Sequence, residues 1–312
     1  MSASLARWPL AQFPRAPNIF AMKKIAEILK SRGGHWVGDG FPVRSLFSYQ
    51  GDTAAISPFL LFDYAGPYVF QPARQPRGVG QHPHRGFETV TIVYDGEVSH
   101  RDSTGGGGTI GPGDVQWMTA AGGIIHEEFH SPEYTAKGGP FRMVQLWVNL
   151  PGKDKMTRPG YQAITAAKIP AFDLPNGAGR GRVIAGAFGD VKGPARTFSP
   201  INLWDLQVKA GADVMLDLPE GHTAMIAVLA GQVTVGGAAI GEARIIRFER
   251  GGDQVTLHAD ADTMLLVMTG EPLGEPVFGY GPFVMTNEAE IRQAVTDFNS
   301  GRFGQVAENV AG

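Results

Sequence analysis

The sequence contains no cysteine among its 312 residues, which excludes disulfides, thiolate nucleophiles and cysteine-held zinc or iron–sulfur centres. That absence leaves the compartment open, since reducing and oxidising environments both tolerate it. Long hydrophobic runs are missing as well: no stretch approaches the roughly 20 apolar residues that a membrane-crossing helix needs. An excess of one charge is also lacking. With 27 Lys and Arg against 30 Asp and Glu, the formal net charge of -3 gives no reason to expect nucleic acid or an anionic membrane as partner. The opening "MSASLARWPLAQFPRAPNIFAMKK" is broken by prolines and has no continuous apolar core, so it makes a poor signal peptide. It reads as a loosely ordered extension, or as an upstream start preceding Met22, and the expected location is cytoplasmic.

Helical signals are few. "MKKIAEILKSR", residues 22 to 32, places Ile25, Ile28 and Leu29 on one side and predicts a short helix. "NEAEIRQAVTDFNSG" predicts a second: Asn287 caps it, Glu288 and Glu290 favour its N-terminus, Ile291, Ala294, Val295 and Phe298 form an apolar face, and Gly301 ends it.

What the sequence has in abundance is punctuation, with 43 glycines and 22 prolines and no collagen-like period. Alternating, β-branched runs lie between them, among them "ETVTIVYDGEVSHRDS", "FRMVQLWVNL", "TAMIAVLAGQVTVGG" and "TMLLVMTG". The pattern predicts an all-β protein of many short strands. "ETVTIVYDGEVSHRD" and "TAMIAVLAGQVTVGG" each give a strand, a glycine turn and a second strand, so two related β-domains in tandem are expected. The Gly- and Pro-rich run 175 to 196 contains the connection, and its "RVIAG" could be a strand of its own. "STGGGGTIG" lacks the Lys-Ser/Thr and helix of a phosphate loop and is expected to be a hairpin turn.

Two stretches carry the chemistry. "GQHPHRGFETV", residues 80 to 90, sets His82 and His84 two apart, and "GGIIHEEFH", residues 122 to 130, adds His126, Glu127, Glu128 and His130. Residues two apart on a strand share a face. His82 and His84 therefore project together, with Glu88 if the strand runs unbroken. His126, Glu128 and His130 form a second set, with Glu127 facing solvent. Two histidines from one strand with a histidine and a carboxylate from another make a divalent-metal site with positions left open. Parity alone does not choose between Glu88 and Glu128. His100, His222 and His258 are expected to be surface or hydrogen-bonded residues. His130 is expected at the surface or just behind the ligands, and Phe87 and Trp117 in barrel packing. Arg85 is expected in a salt bridge on the outer face, with the pocket mouth as its alternative.

"HPHRGFETV", "PGDVQWMTAAGGIIHEE", "GDGFPVRSLF" and the closing "GPFVMTNEAEIRQAVTDFNSGRFG" resemble the pirin family of the cupin superfamily over roughly residues 35 to 304. The resemblance implies two tandem cupin barrels (double-stranded β-helices, or jelly rolls) face to face, followed by a short C-terminal helix. It implies an extension over 1–34, a metal-binding domain over 35–170, a second barrel without metal over 171–286, and a helix and tail over 287–312. By position it makes His82, His84, His126 and Glu128 the metal ligands, with Fe(II) as the metal. Ni, Co, Cu, Mn or Zn would accept the same donors. Glu88, the ligand position of many other cupins, becomes an inner-face neighbour that hydrogen-bonds a ligand histidine. The second barrel departs from the metal pattern, because "GHTAMIAV" has His222 but Ala224 and Val228 where a histidine and a glutamate would be needed.

The resemblance further implies a quercetin 2,3-dioxygenase-like oxidoreductase that cleaves a flavonol with O₂, with Glu128 as the catalytic proton acceptor. The alternative it implies is an iron-dependent regulatory protein, a transcription cofactor or a metabolic-enzyme regulator, that acts by binding other proteins without turnover.

Overall fold

The computed structural model describes residues 21–31 and 33–307, so residues 1–20 of the expected extension lie outside the described residues. Apolar and polar residues alternate between glycine and proline breaks, and each such run becomes a strand. The first are β1 (Ile25–Lys30), β2 (Gly34–Val37), β3 (Phe41–Ser48), β4 (Phe59–Phe70), β5 (Gly78–His84) and β6 (Phe87–Asp95). They are followed by β7 (Val98–Asp102), β8 (Gly107–Ile110), β9 (Val115–Thr119), β10 (Ile124–His130), β11 (Gly139–Asn149) and β12 (Gly160–Ile164). A seven-stranded sheet in the order β12-β9-β6-β11-β4-β3-β2 faces a four-stranded sheet in the order β5-β10-β7-β8, which together make the first barrel.

The second barrel repeats the plan. Its four-stranded sheet pairs Asp213–Asp217, Gln254–Ala259, Gln232–Val235 and Ala238–Gly241 in that spatial order. Taken by chain position this is first, fourth, second, third, the same order as β5-β10-β7-β8. The duplication read from the sequence is therefore a duplication of topology. The "RVIAG" segment lies in a strand, Gly179–Ala185, of the second seven-stranded sheet.

The two seven-stranded sheets pack on one another. Phe62, Tyr64, Val90, Ile92, Trp117 and Leu146 of the first meet Ile184, Leu203, Met225, Ala227 and Leu266 of the second in one buried cluster. The Tyr64 hydroxyl donates across this layer to the Leu229 carbonyl. Inside the second barrel Val214, Leu216, Val233, Ile240, Val255 and Leu257 leave an apolar filling. In the first barrel an apolar cluster around Phe41, Phe70, Val93 and Phe141 fills one end.

The predicted helix over 22–32 is corrected. Its central part is β1, an edge strand of the second barrel, paired antiparallel with Arg244–Phe248 from Ile25↔Phe248 to Lys30↔Arg244. So short a segment cannot sustain a helix alone, and an open sheet edge offers it a complete ladder instead. The C-terminal helix, Glu288–Asn299, forms as read: the Asn287 side chain accepts from the Glu290 amide, and Ile291 and Ala294 are buried. The glycine-rich stretch is a hairpin turn between β7 and β8, with Arg101 opposite Gly107. Among the described residues, no helix is long and apolar enough to cross a membrane.

Candidate metal centre

The four-stranded sheet of the first barrel assembles the site row by row. Across β5, β10 and β7, His82 pairs with His126 and His126 with Asp102. Directly opposed residues of a sheet share a face, so all three point into the barrel. One step along, Glu128 pairs with His100. The β5–β10 register shifts between His126 and Glu128, where Gly78 lies so close to β10 that a Cβ would sit 2.1 Å from the Glu128 carbonyl oxygen.

The structure brings His82, His84 and His126 together, with one ligand atom of each within 4.8 Å of the others. Their ring centroids are 4.2 to 4.9 Å apart. Glu128 forms a second such group with His126 and His100. His84 and His126 are buried, while His82 is half-buried and forms the open edge. Five surface grooves of about 470 to 790 Å³ lie elsewhere, on the second barrel, at the barrel junction and beside the C-terminal helix.

The donor set fits a divalent ion. Nδ1 of His84 and Nε2 of His126 are buried without a hydrogen-bond partner among the described residues, a cost that coordination would remove. Burial first, and then the neighbouring histidines, hold the His84 and His126 imidazoles well below the usual pKa of histidine. For His84 the Pro282 carbonyl opposes this in part. Both rings are therefore neutral, the form in which imidazole binds metal. On His82, Nδ1 lies 2.8 Å from the Gly80 carbonyl, which leaves Nε2 toward the cluster.

Glu128 is held from the opposite sheet. Thr91, Gln116 and Gln145 lie in one row across β9, β6 and β11. Gln145 Nε2 donates to Glu128 Oε2 at 3.0 Å, while Gln116 Nε2 and Thr91 Oγ1 donate to Oε1 at 3.3 and 3.4 Å. The amides are themselves oriented, Gln145 by the Trp147 indole and Gln116 by the Tyr161 hydroxyl. Trp147 also stacks on Phe87 and meets the edge of His84 at 5.2 Å.

Several residues depart from the reading of the sequence. Glu88 does not share the face of His82 and His84, and its hydrogen bond comes from Thr119 Oγ1 (2.7 Å) rather than from a ligand histidine. The cause is the corner at Arg85–Gly86, where Gly86 has φ +90° and the chain passes from one sheet to the other, resetting the alternation. Glu88 consequently lies opposite Val148 and Thr119 on the side of β6 that faces the second barrel. Glu127 is not solvent-facing but buried and ion-paired with Arg101. His130 is neither at the surface nor beside the cluster. Its Nε2 donates to the Gly40 carbonyl oxygen at 2.9 Å, and the ring packs among Phe41, Phe70, Tyr134 and Phe141.

Arg85 forms the expected salt bridge rather than lining the pocket mouth. Buried, it pairs with Asp297 of the C-terminal helix at 2.9 Å, donates to the Gly122 carbonyl and lies over the Phe303 ring. Phe87 and Trp117 are packing residues, as expected. His258 is hydrogen-bonded to Asp213, whereas His100 is wholly buried inside the cluster, hydrogen-bonded to Asp102 at 3.1 Å.

Sequence reasoning missed Asp102, Gln116, Gln145 and Lys155. The alternation in "VSHRD", "VQW" and "VQLW" puts a polar residue on an inward position of each strand, which is the signal that was available. Lys155 had none: its buried ammonium donates to the Gly86 and Val284 carbonyls and to Asn149, fixing the corner behind His84. Among the described residues, both groups able to hold a metal lie in the first barrel.

Two barrels of one topology, the first with a histidine cluster inside it and the second filled with apolar side chains, define a two-domain cupin. Residues 40–148 match the family described as Pirin, and residues 203–304 match the pirin C-terminal cupin domain. The chain belongs to the pirin family. It is 59% identical over 282 residues to a Pseudomonas aeruginosa protein named "Putative quercetin 2,3-dioxygenase", covering 90% of this chain and 99% of that one. A pirin-like protein of Caulobacter vibrioides is 38% identical over 293 residues, covering 89% and 99%. The crystal structure of quercetin 2,3-dioxygenase from Acinetobacter baumannii superposes with a TM-score of 0.89 at 54% identity, over 92% of this chain and all of that one.

Proposed function

We propose that the chain is a metal-dependent dioxygenase that cleaves a flavonol such as quercetin with O₂. The carrying observation is the cluster itself: three histidines converge inside the first barrel, with His82 on the open edge. The names borne by the Pseudomonas and Acinetobacter relatives support the substrate class. In this reading His82, His84, His126 and Glu128 are the ligands and Fe(II) is the metal, as the family resemblance implies.

A divalent ion held there supplies a Lewis acid that lowers the pKa of a hydroxyl brought to it. The rest is the work of the chain. Glu128 receives the proton of the flavonol hydroxyl, its carboxylate kept in place by Gln145 and Gln116. Trp147, half-buried beside His84 and stacked on Phe87, offers a flat face to an aromatic ring. His84 and His126, both buried, stay neutral and leave the site without excess positive charge.

Oxygen uptake on adding quercetin to protein loaded anaerobically with Fe(II) tests the proposal, with His84→Ala as control. Uptake by the wild type that is lost in the variant is the expected result. No uptake with iron demonstrably bound would refute it and favour the regulator that acts through a protein partner.

A further inference from the structure

Behind His126 lies a hydrogen-bonded chain of two residues outside the four proposed ligands. His126 Nδ1 is 3.3 Å from His100 Nδ1, and His100 Nε2 is 3.1 Å from Asp102 Oδ2. We propose that Asp102 and His100 act as a relay that locks His126 in its Nδ1–H tautomer, so that the Nε2 lone pair faces the metal. The inference rests on the reading of His126 as a ligand.

The polarity of the chain starts at Asp102. Its Oδ1 accepts from the Thr104 amide (2.8 Å), the Thr104 hydroxyl (2.6 Å) and the Gly106 amide (3.0 Å). Three donors on Oδ1 favour the ionised form of this buried carboxyl. An ionised carboxylate only accepts, so His100 Nε2 carries the proton that it shares with Oδ2. In the ring protonated at Nε2 alone, His100 Nδ1 accepts and His126 Nδ1 is the donor facing it. The remaining nitrogen of His126, Nε2, is the buried atom without a partner among the described residues.

The ring of His100 is fixed as well as its protonation. It is wholly buried, and Tyr161 stacks on it at 5.1 Å with an interplanar angle of 14°. A Cβ at Gly106 would sit 2.5 Å from Asp102 Oδ2, so a side chain there would displace the carboxylate from its place. The glycine-rich hairpin is thus the mount of the relay. Carboxylate-backed histidine ligands are held in one tautomer and made more basic in this way, and loss of the backing group weakens metal binding by about 10–100-fold. Asp102 and His100 are positioning residues.

The test is long-range proton–nitrogen NMR on the metal-free protein, with the His126 ring assigned through its absence in His126→Ala. Expected is a protonated Nδ1 and a bare Nε2 on His126. Asp102→Asn presents an amide donor to His100, reverses the chain and should move the His126 proton to Nε2. Its Ni(II) dissociation constant, measured by competition with a chromogenic chelator, should rise about 10–100-fold. His100→Asn keeps an acceptor oxygen near the Nδ1 position and should retain tighter Ni(II) binding than His100→Phe. A wild-type His126 already protonated at Nε2 would overturn the relay. So would an Asp102→Asn protein with unchanged tautomer and affinity. If Asp102→Asn does not fold, the wild-type tautomer and the two His100 variants decide. Full Ni(II) stoichiometry in His126→Ala would instead refute the ligand reading, an outcome distinct from failure of the relay.

Discussion

Glu88 is the residue whose perturbation best separates a metal ligand from a buried acid. It is 1% exposed on the face of the first barrel that meets the second, with Thr119 as its hydrogen-bond donor. Burial pushes its pKa up from 4.5 to about 7, and the Thr119 hydrogen bond opposes this only in part. In the unfolded chain the same carboxyl ionises near 4.5. As pH rises from there, the unfolded state loses its proton while the folded state keeps it, so stability present at low pH is lost progressively until about pH 7 and is level above. At about 1.4 kcal/mol per pH unit, the loss amounts to about 3 kcal/mol.

Glu88→Gln keeps the shape and the Thr119 contact but cannot ionise. It should match the wild type near pH 4.5 and exceed it in stability by about 3 kcal/mol above pH 7. Urea unfolding of the metal-free proteins across this range measures the difference, in which the titration of the distant histidines cancels. A difference that does not grow with pH would refute the argument. So would a variant less stable than the wild type at neutral pH, which would mean that Glu88 is ionised and paired.

Metal binding supplies further tests. His82→Ala and His126→Ala should each abolish binding of a divalent ion while leaving circular dichroism unchanged; metal retained at full stoichiometry would overturn the ligand assignment. Glu128→Gln should weaken binding and Glu88→Gln should leave it intact, and titration with a competing chelator giving the reverse order would place the carboxylate ligand at Glu88. Arg85→Met removes the buried partner of Asp297, which keeps Gln293 and Arg302. The cost should therefore fall near the low end for a broken buried pair, about 3 kcal/mol by urea unfolding, with faster amide exchange in the C-terminal helix. An unchanged unfolding midpoint and exchange pattern would refute that role for Arg85.

The amino-acid sequence by itself determined whatever depends on local alternation. A strand repeats every two residues, so His82 with His84, and His126 with Glu128, were legible as pairs on one face. Capping residues and an apolar stripe likewise specified the C-terminal helix, and the repeated strand–turn–strand pattern specified two related β-domains. Tertiary structure decided everything that depends on which strand lies beside which. β1 became a strand because an open edge of the second barrel was there to receive it. Glu88 left the site because the chain changes sheets at Gly86, and alternation carries no information across such a corner. His100, Gln116 and Gln145 joined the site because β7, β9 and β11 converge on β10 from both sheets, through contacts between residues far apart in the chain. Local pattern fixes the face on which a side chain stands, whereas its neighbours across a sheet or a barrel are set by long-range pairing that no short stretch of sequence encodes.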